Sequence, residues 1–431
     1  MASSEARSHA RLTTIAALGV TQIFAWGATY YLPAVLARPI AADTGWPLSH
    51  VMAGLSVGLF ASGIVSPRIG RFVRDHGGRH VLLIGVMLVA AGLSLLGLAT
   101  SEAMFFLAWL VLGCGMGATL YDAAFATLGR YYGYEARSAI TALTLFGGFA
   151  STICWPLSAF LLERWGWRAT CFVYAGLQLG LSLPLLWRFL PALARALPSN
   201  GSPGPARRDD PDARPGPEFI ILAVILTLGG TIATTISVHL LAILGAHDVA
   251  LAAAVALGAL IGPSQVGARV FDMVVGKHLP AIATLAIATA LIAIGVLALA
   301  SGLPVFALAL VLYGAGNGIW SIARGALPLA LFGPDRFPVL MGRLAMPTLL
   351  AQSLAPPMTA LVIERFGALP LVTALAAAAI INLGLVGLLW RVARGRSAQA
   401  AARSIPDEVS VSSLEAGLDN GLASESAPRG A

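Results

Sequence analysis

Residues 156–166 read PLSAFLLERWG and residues 357–367 read PMTALVIERFG, so one motif is written twice in a chain of 431 residues. At the same spacing, Gly113, Gly115 and Gly117 recur as Gly314, Gly316 and Gly318. A third match, at nearly that spacing, sets Gly70 and Asp75 against Gly267 and Asp272, with Arg79-His80 and Lys277-His278 close behind. One such coincidence is unremarkable in a chain rich in Ala, Leu and Gly. Three in consistent order mark a duplicated unit.

Composition says what was duplicated. The chain is 58% hydrophobic and only 11% charged, with a mean hydropathy of +0.82. A soluble domain carries about 25% charged residues, so polar groups could not cover this surface, which excludes a soluble enzyme. Apolar runs fall at residues 12–37, 48–69, 81–100, 104–128, 138–162, 168–190, 219–244, 249–271, 280–301, 304–328, 339–363 and 368–390. Each is long enough to cross a hydrocarbon layer about 30 Å thick as a helix. The expected fold is therefore all-α integral membrane, with twelve transmembrane helices in two pseudo-symmetric six-helix bundles at residues 1–190 and 218–390. Each copy crosses an even number of times, so the two are parallel repeats about an axis along the membrane normal. The first run follows Arg7 and Arg11 but is too long for a secretory signal core, and it reads as a retained helix.

Charge gives the orientation. With both termini on one side, all but four of the 27 basic residues fall on that side; the exceptions are Arg38, Arg164, Arg168 and Arg365. Basic residues are retained in the cytoplasm, so the chain is expected in the plasma (bacterial inner) membrane with both termini cytoplasmic. The stretch at 191–217, PALARALPSNGSPGPARRDDPDARPGP, is too rich in Pro, Gly and charge to pack and reads as a cytoplasmic linker. The polar tail at 391–431 reads as disordered, with Arg391, Arg394 and Arg396 at the anionic leaflet. All basic residues but Lys277 are Arg, and they track loops instead of forming a groove with interleaved aromatics, so no nucleic-acid partner is expected. Cys114, Cys154 and Cys171 lack metal-ligand spacing, and no metal or cofactor is expected.

The six-plus-six plan and the loop GRFVRDHGGRH at 70–80 resemble the major facilitator superfamily of secondary transporters, across residues 12–390. That family's loop signature is Gly-x-Leu-Ala-Asp-Arg-x-Gly-Arg-Arg. The resemblance implies gating roles for Gly70, Gly77 and Arg79, and for Asp75 if the loop tolerates the reversed Arg74-Asp75 order. Its second copy contributes Arg269 and Asp272, which stand at i and i+3, can pair, and read as a gate or clasp more than as substrate contacts. Two signatures of proton-driven drug exporters are missing: no Arg stands at Ala108–Leu112, and the helix 5 Gly-Pro pattern is reduced to Gly147-Gly148 and Trp155-Pro156.

Ionisable groups in hydrocarbon cost about 2.5 to 3.5 kcal/mol on insertion scales and should be paired or face a polar cavity. Asp122 is the one carboxylate well inside a span, and the repeat places it one position from Arg324. The family geometry, in which helices 1, 4, 7 and 10 line a central cavity, implies that the two face each other as a gate or as part of the solute and proton site. The alternative is an Arg reaching to the headgroups and an Asp bonded locally. Helical spacing groups Gln22, Trp26 and Tyr30 on helix 1, Asn317, Trp320, Ser321 and Arg324 on helix 10, and Thr227, Thr231, Thr235 and His239 on helix 7. These faces suit solute binding, although Thr hydroxyls also satisfy their own helix and Tyr30 could anchor at the interface. His239 is either a proton relay or simply wetted.

The expected function is secondary active transport of a small organic solute by alternating access, with one chain sufficient as a monomer. The leading form is uptake of an organic anion held partly by Arg324 and coupled to protons through Asp122, that is, a symporter. Efflux of a toxic compound is the second reading. A non-transporting sensor of the same fold would need a soluble signalling module. An enzyme would need several acidic or His residues converging at one depth.

Overall fold

The computed structural model describes residues 2–192 and 216–403, so most of the linker, and the tail beyond 403, lie outside the described residues. Among the described residues all regular structure is helical: α1 (Ala2–Ala28), α2 (Leu32–Thr44), α3 (Leu48–His76), α4 (Gly78–Gly97), α5 (Glu102–Thr119), α6 (Tyr121–Tyr132), α7 (Ala136–Gly148), α8 (Ala150–Leu177), α9 (Leu183–Phe189), α10 (Pro217–Gly245), α11 (Leu251–Gly258), α12 (Ile261–Val274), α13 (Ala281–Ala300), α14 (Phe306–Phe366) and α15 (Ala368–Arg403). Residues up to Gly387 form one compact unit. From Leu388 on a second begins, within which Arg394 lies over the Trp390 ring at 5.2 Å.

Local chemistry sets the boundaries. Ser101 caps α5 by accepting from the Met104 N–H at 3.3 Å, with Glu102 in the first turn. Pro217 opens α10, where a missing N–H costs nothing. Many Thr and Ser hydroxyls inside spans bond back to the preceding turn, as Thr21 does to Ala17 and Thr289 to Leu285, and so need no partner in lipid.

Nine continuous helical runs among the described residues are long and apolar enough to cross a membrane. Two are too long for one crossing: Glu102–Phe189 and Phe306–Phe366 would extend about 130 Å and 90 Å if straight. Both fold back at glycines. Tyr121 Oη donates to the Thr144 carbonyl at 3.3 Å and Tyr174 Oη to that of Cys154 at 3.1 Å, pairs that an unbroken helix would hold roughly 30 Å or more apart. Gly133 (φ 56°) and Gly166 (φ 78°) make these reversals, and Gly333 (φ 75°) makes the one in Phe306–Phe366, whose Trp320 and Gln352 both lie against α10 at Gly229 and Gly230; side chains avoid this region of backbone space. The duplicated motif ends in the same turn both times: Gly166 has φ 78° and ψ 173°, and Gly367 has φ 86° and ψ 172°.

Candidate functional site

Three of the helical runs are interrupted, at four places. The chain breaks at Thr29–Tyr31 between α1 and α2, at Leu120 between α5 and α6, at Phe149 between α7 and α8, and at Ala259–Leu260 between α11 and α12. At Leu120 the backbone is extended (φ −73°, ψ −172°), which frees the Thr119 carbonyl. Gln22 supplies the missing donor, its Nε2 lying 2.6 Å from that oxygen, while its Oε1 accepts from Trp26 Nε1 at 3.1 Å. A bare carbonyl in hydrocarbon is costly, so the break and Gln22 come as a pair. The same break puts Asp122 in the first turn of α6, where the helix dipole favours a carboxylate.

A cavity of about 180 Å³ opens where these breaks meet. Tyr30, Tyr31, Leu120, Tyr121, Gly147 and Ile261, all beside the breaks, contribute to its wall. Trp26, Tyr30, Asp122, Asn317, Trp320 and Arg324, singled out from sequence, line it. Arg324 and Asp122 form an ion pair, their side chains 13% and 16% exposed, and the Arg324 guanidinium lies 5.5 Å from the Trp320 ring centre. Arg269 also lines the cavity. It does not pair with Asp272; instead its Nη1 donates to the Thr144 carbonyl at 3.0 Å and its Nε to Ser321 Oγ at 3.2 Å. It is buried, and no ion pair to it occurs among the described residues. Two arginines and one carboxylate therefore face the same space.

Gln22, Thr231 and His239 stand outside the wall. Gln22 is fully buried behind Trp26. Thr231 returns its hydroxyl to the Thr227 carbonyl at 2.8 Å, and α10 lines the cavity with Ala233, Thr234, Ile236 and Ser237. His239 stands near Pro356, with Nε2 buried and without a hydrogen-bond partner. Tyr121 and Tyr313 were not singled out from sequence, because an aromatic inside an apolar run reads as core, and Tyr31, which from sequence could anchor at the interface as Tyr30 could, lines the cavity instead. Their neighbours at the helix breaks carry the only local signal, and those breaks have no side-chain signature of their own.

On one side of the cavity the two halves of the chain meet. A methyl group on Gly70 would run into the Pro338 carbonyl, and one on Gly342 into that of Ser66, so α3 and α14 touch backbone to backbone. Phe337 fills the space a side chain at Gly129 would need. Arg137, at the start of α7, reaches across to the carbonyls of Leu279 (2.7 Å) and Gly276 (2.8 Å) and to Thr284 Oγ1 (3.2 Å). Of the loop residues, Arg74 pairs with Asp75 at 2.7 Å, Gly77 makes a positive-φ turn (83°), and Arg79 donates to the Trp187 carbonyl at 2.5 Å. Asp272 is buried at the end of α12 and comes close to Gly276.

The Major Facilitator Superfamily family model matches residues 18–323. The chain belongs to that superfamily. It is accordingly a multi-pass membrane protein and a secondary transporter of small solutes, not an enzyme. Comparison with curated protein sequences gave no match. Among solved structures, this transporter shares its fold with the human organic anion transporter MFSD10 (TETRAN), at 18% identity and TM-score 0.65, covering 87% of this chain and 99% of that one. It shares it equally with the proton:xylose symporter XylE (13%, TM-score 0.67, 88% and 95% covered) and with the E. coli fucose:proton symporter FucP (14%, TM-score 0.67, 89% and 99% covered). FucP in an outward conformation aligns with TM-score 0.68.

Proposed function

We propose that this transporter takes up a small organic anion in symport with protons, working as a monomer in the plasma membrane with twelve crossings and both termini cytoplasmic. The observation that carries the anion is Arg269. A buried guanidinium in a cavity wall is costly unless a counter-charge arrives, and the one carboxylate in that wall already belongs to Arg324. A monoanionic solute supplies the missing charge, and the guanidinium fork suits a carboxylate. Other members of the fold carry anions or sugars, so the fold does not choose the cargo; Arg269 does.

Asp122 is the proton carrier in this reading. When the solute's carboxylate settles on Arg269, its negative charge in the shared cavity loosens Asp122 from Arg324, and Asp122 takes a proton from the cavity. On the sealed side a void of about 10 Å³, walled by Ser66, Gly70, Pro338 and Gly342, reaches Asp122 and has room for about one water. The basic residues place that sealed side in the cytoplasm. The described state is then outward-facing, closed inside by the α3–α14 contact and the Arg137 clasp, and the two six-helix bundles, residues 1–190 and 218–390, rock about the site. The test is proteoliposome uptake of labelled carboxylates driven by an inward proton gradient. Accumulation that is lost in Arg269→Gln, with the melting profile kept, supports the reading. Accumulation independent of both Arg269 and the gradient overturns it.

A further inference from the structure

The anion reading leaves the body of the cargo open, and the ring geometry around Arg269 closes that gap. Tyr121 Oη and Arg269 Nη1 donate to the same carbonyl, that of Thr144, at 3.3 Å and 3.0 Å. The guanidinium therefore sits at the edge of the Tyr121 ring. That ring lies 5.0 Å from Trp26 and is stacked on Phe125 at 5.1 Å and 9°. Trp26 in turn meets Tyr30 edge-on at 5.4 Å. The result is a continuous aromatic shelf that begins at Tyr30 and ends at a cation.

Two polar atoms of this shelf are spent behind it. Trp26 Nε1 is held by Gln22, and Tyr121 Oη by Thr144. What Trp26 and the small cavity-facing part of Tyr121, a residue only 6% exposed, offer a solute is therefore ring area and not hydrogen bonds. The cavity's other donors and acceptors, among them Ser237, Gln265, Asn317 and Gln352, stand outside this shelf, so a sugar would find no hydrogen bonds on it. A short aliphatic acid would satisfy Arg269 and leave the rings wet. Aromatic side chains with few torsions, fixed by packing and by Gln22, form a preorganised surface for another flat ring.

We infer that the cargo is an aromatic monocarboxylate, its ring laid on Trp26 and Tyr121 and its carboxylate turned to Arg269. This rests on the anion reading, and the experiment separates the two. Thermal stability and ligand affinity of the purified full chain are measured with benzoate, cyclohexanecarboxylate, acetate and benzyl alcohol. Benzoate is expected to bind tightest. Trp26→Leu should weaken benzoate by about 3- to 10-fold, leave acetate unchanged, and be largely rescued in Trp26→Phe. Cyclohexanecarboxylate binding as tightly as benzoate, or benzoate indifferent to Trp26→Leu, overturns the aromatic cargo while the anion reading stands. Benzyl alcohol binding as tightly as benzoate overturns the anion reading while the aromatic shelf stands. Stabilisation by none of the four overturns both.

Discussion

Asp122 and Arg324 are each the answer to the other's burial. Removing one partner of a buried pair leaves a bare charge and costs about 3–5 kcal/mol, whereas the intact pair contributes little net stability. Asp122→Asn should therefore lower the melting temperature and abolish proton-driven accumulation, while counterflow exchange of the solute stays measurable. Gradient-driven accumulation unchanged in that variant would remove Asp122 from the coupling. Exchanging the two residues, Asp122→Arg with Arg324→Asp, should recover part of the stability that either single change loses, and a melting curve decides it. Gln22 makes a second residue-scale case. Gln22→Leu orphans the Thr119 carbonyl and unpins Trp26, so a loss of about 1–3 kcal/mol in stability is expected together with weaker ligand binding.

At the scale of elements, the helices were legible in the sequence, and the places where they break were not. The motif at 156–166 and 357–367 was legible because a turn that needs positive φ must be written as glycine, in both copies. The break at Leu120 was not, since an extended residue between two helices needs no special side chain. Without that break, Asp122 could not be placed in a first turn, nor Gln22 matched to its carbonyl. The face of α10 misled for a related reason. Thr227, Thr231 and Thr235 repeat at helical spacing, but Thr231 satisfies itself on the preceding turn and Thr235 is buried away from the cavity, so polar periodicity does not mark a wet face. The wall of α10 is Ala233, Thr234, Ile236 and Ser237, half of it apolar. Arg269 and Asp272 matched an i, i+3 pair, yet Arg269 turns to α7 and α14, which only the packing of three elements could show. A prediction at this scale concerns the crossing of α3 and α14. Gly342→Val places a branched side chain against the Ser66 carbonyl and should prevent the inner closure. Ser66→Cys, introduced with Gly342→Val, should then react with a thiol reagent applied from the cytoplasmic face, and a failure to label would show that the crossing is not the seal.

For the molecule as a whole, the expected outward-facing state has a simple signature. Ser237 is exposed and lines the cavity, whereas Ser66 is buried at the inner contact. With Cys114, Cys154 and Cys171 replaced, Ser237→Cys should label from outside and be protected by ligand, and Ser66→Cys should stay silent until the transporter turns over. The reverse pattern would mean that the resting state opens to the cytoplasm. Arg137→Ala removes two donated bonds to the loop after α12 and one to Thr284 in α13, and should shift the resting population toward inner labelling without changing ligand affinity in the outward state.

The α3–α14 crossing also bears on pharmacology. Gly70 and Gly342 present opposed grooves with no side chain to fill them, and in the closed state each groove is occupied by the other helix's backbone. In the proposed orientation, parting these helices would open two smooth, side-chain-free clefts toward the cytosol. A flat wedge-shaped compound lodged there would arrest the cycle after cargo release, and by never touching the cargo pocket it would inhibit without competing with substrate.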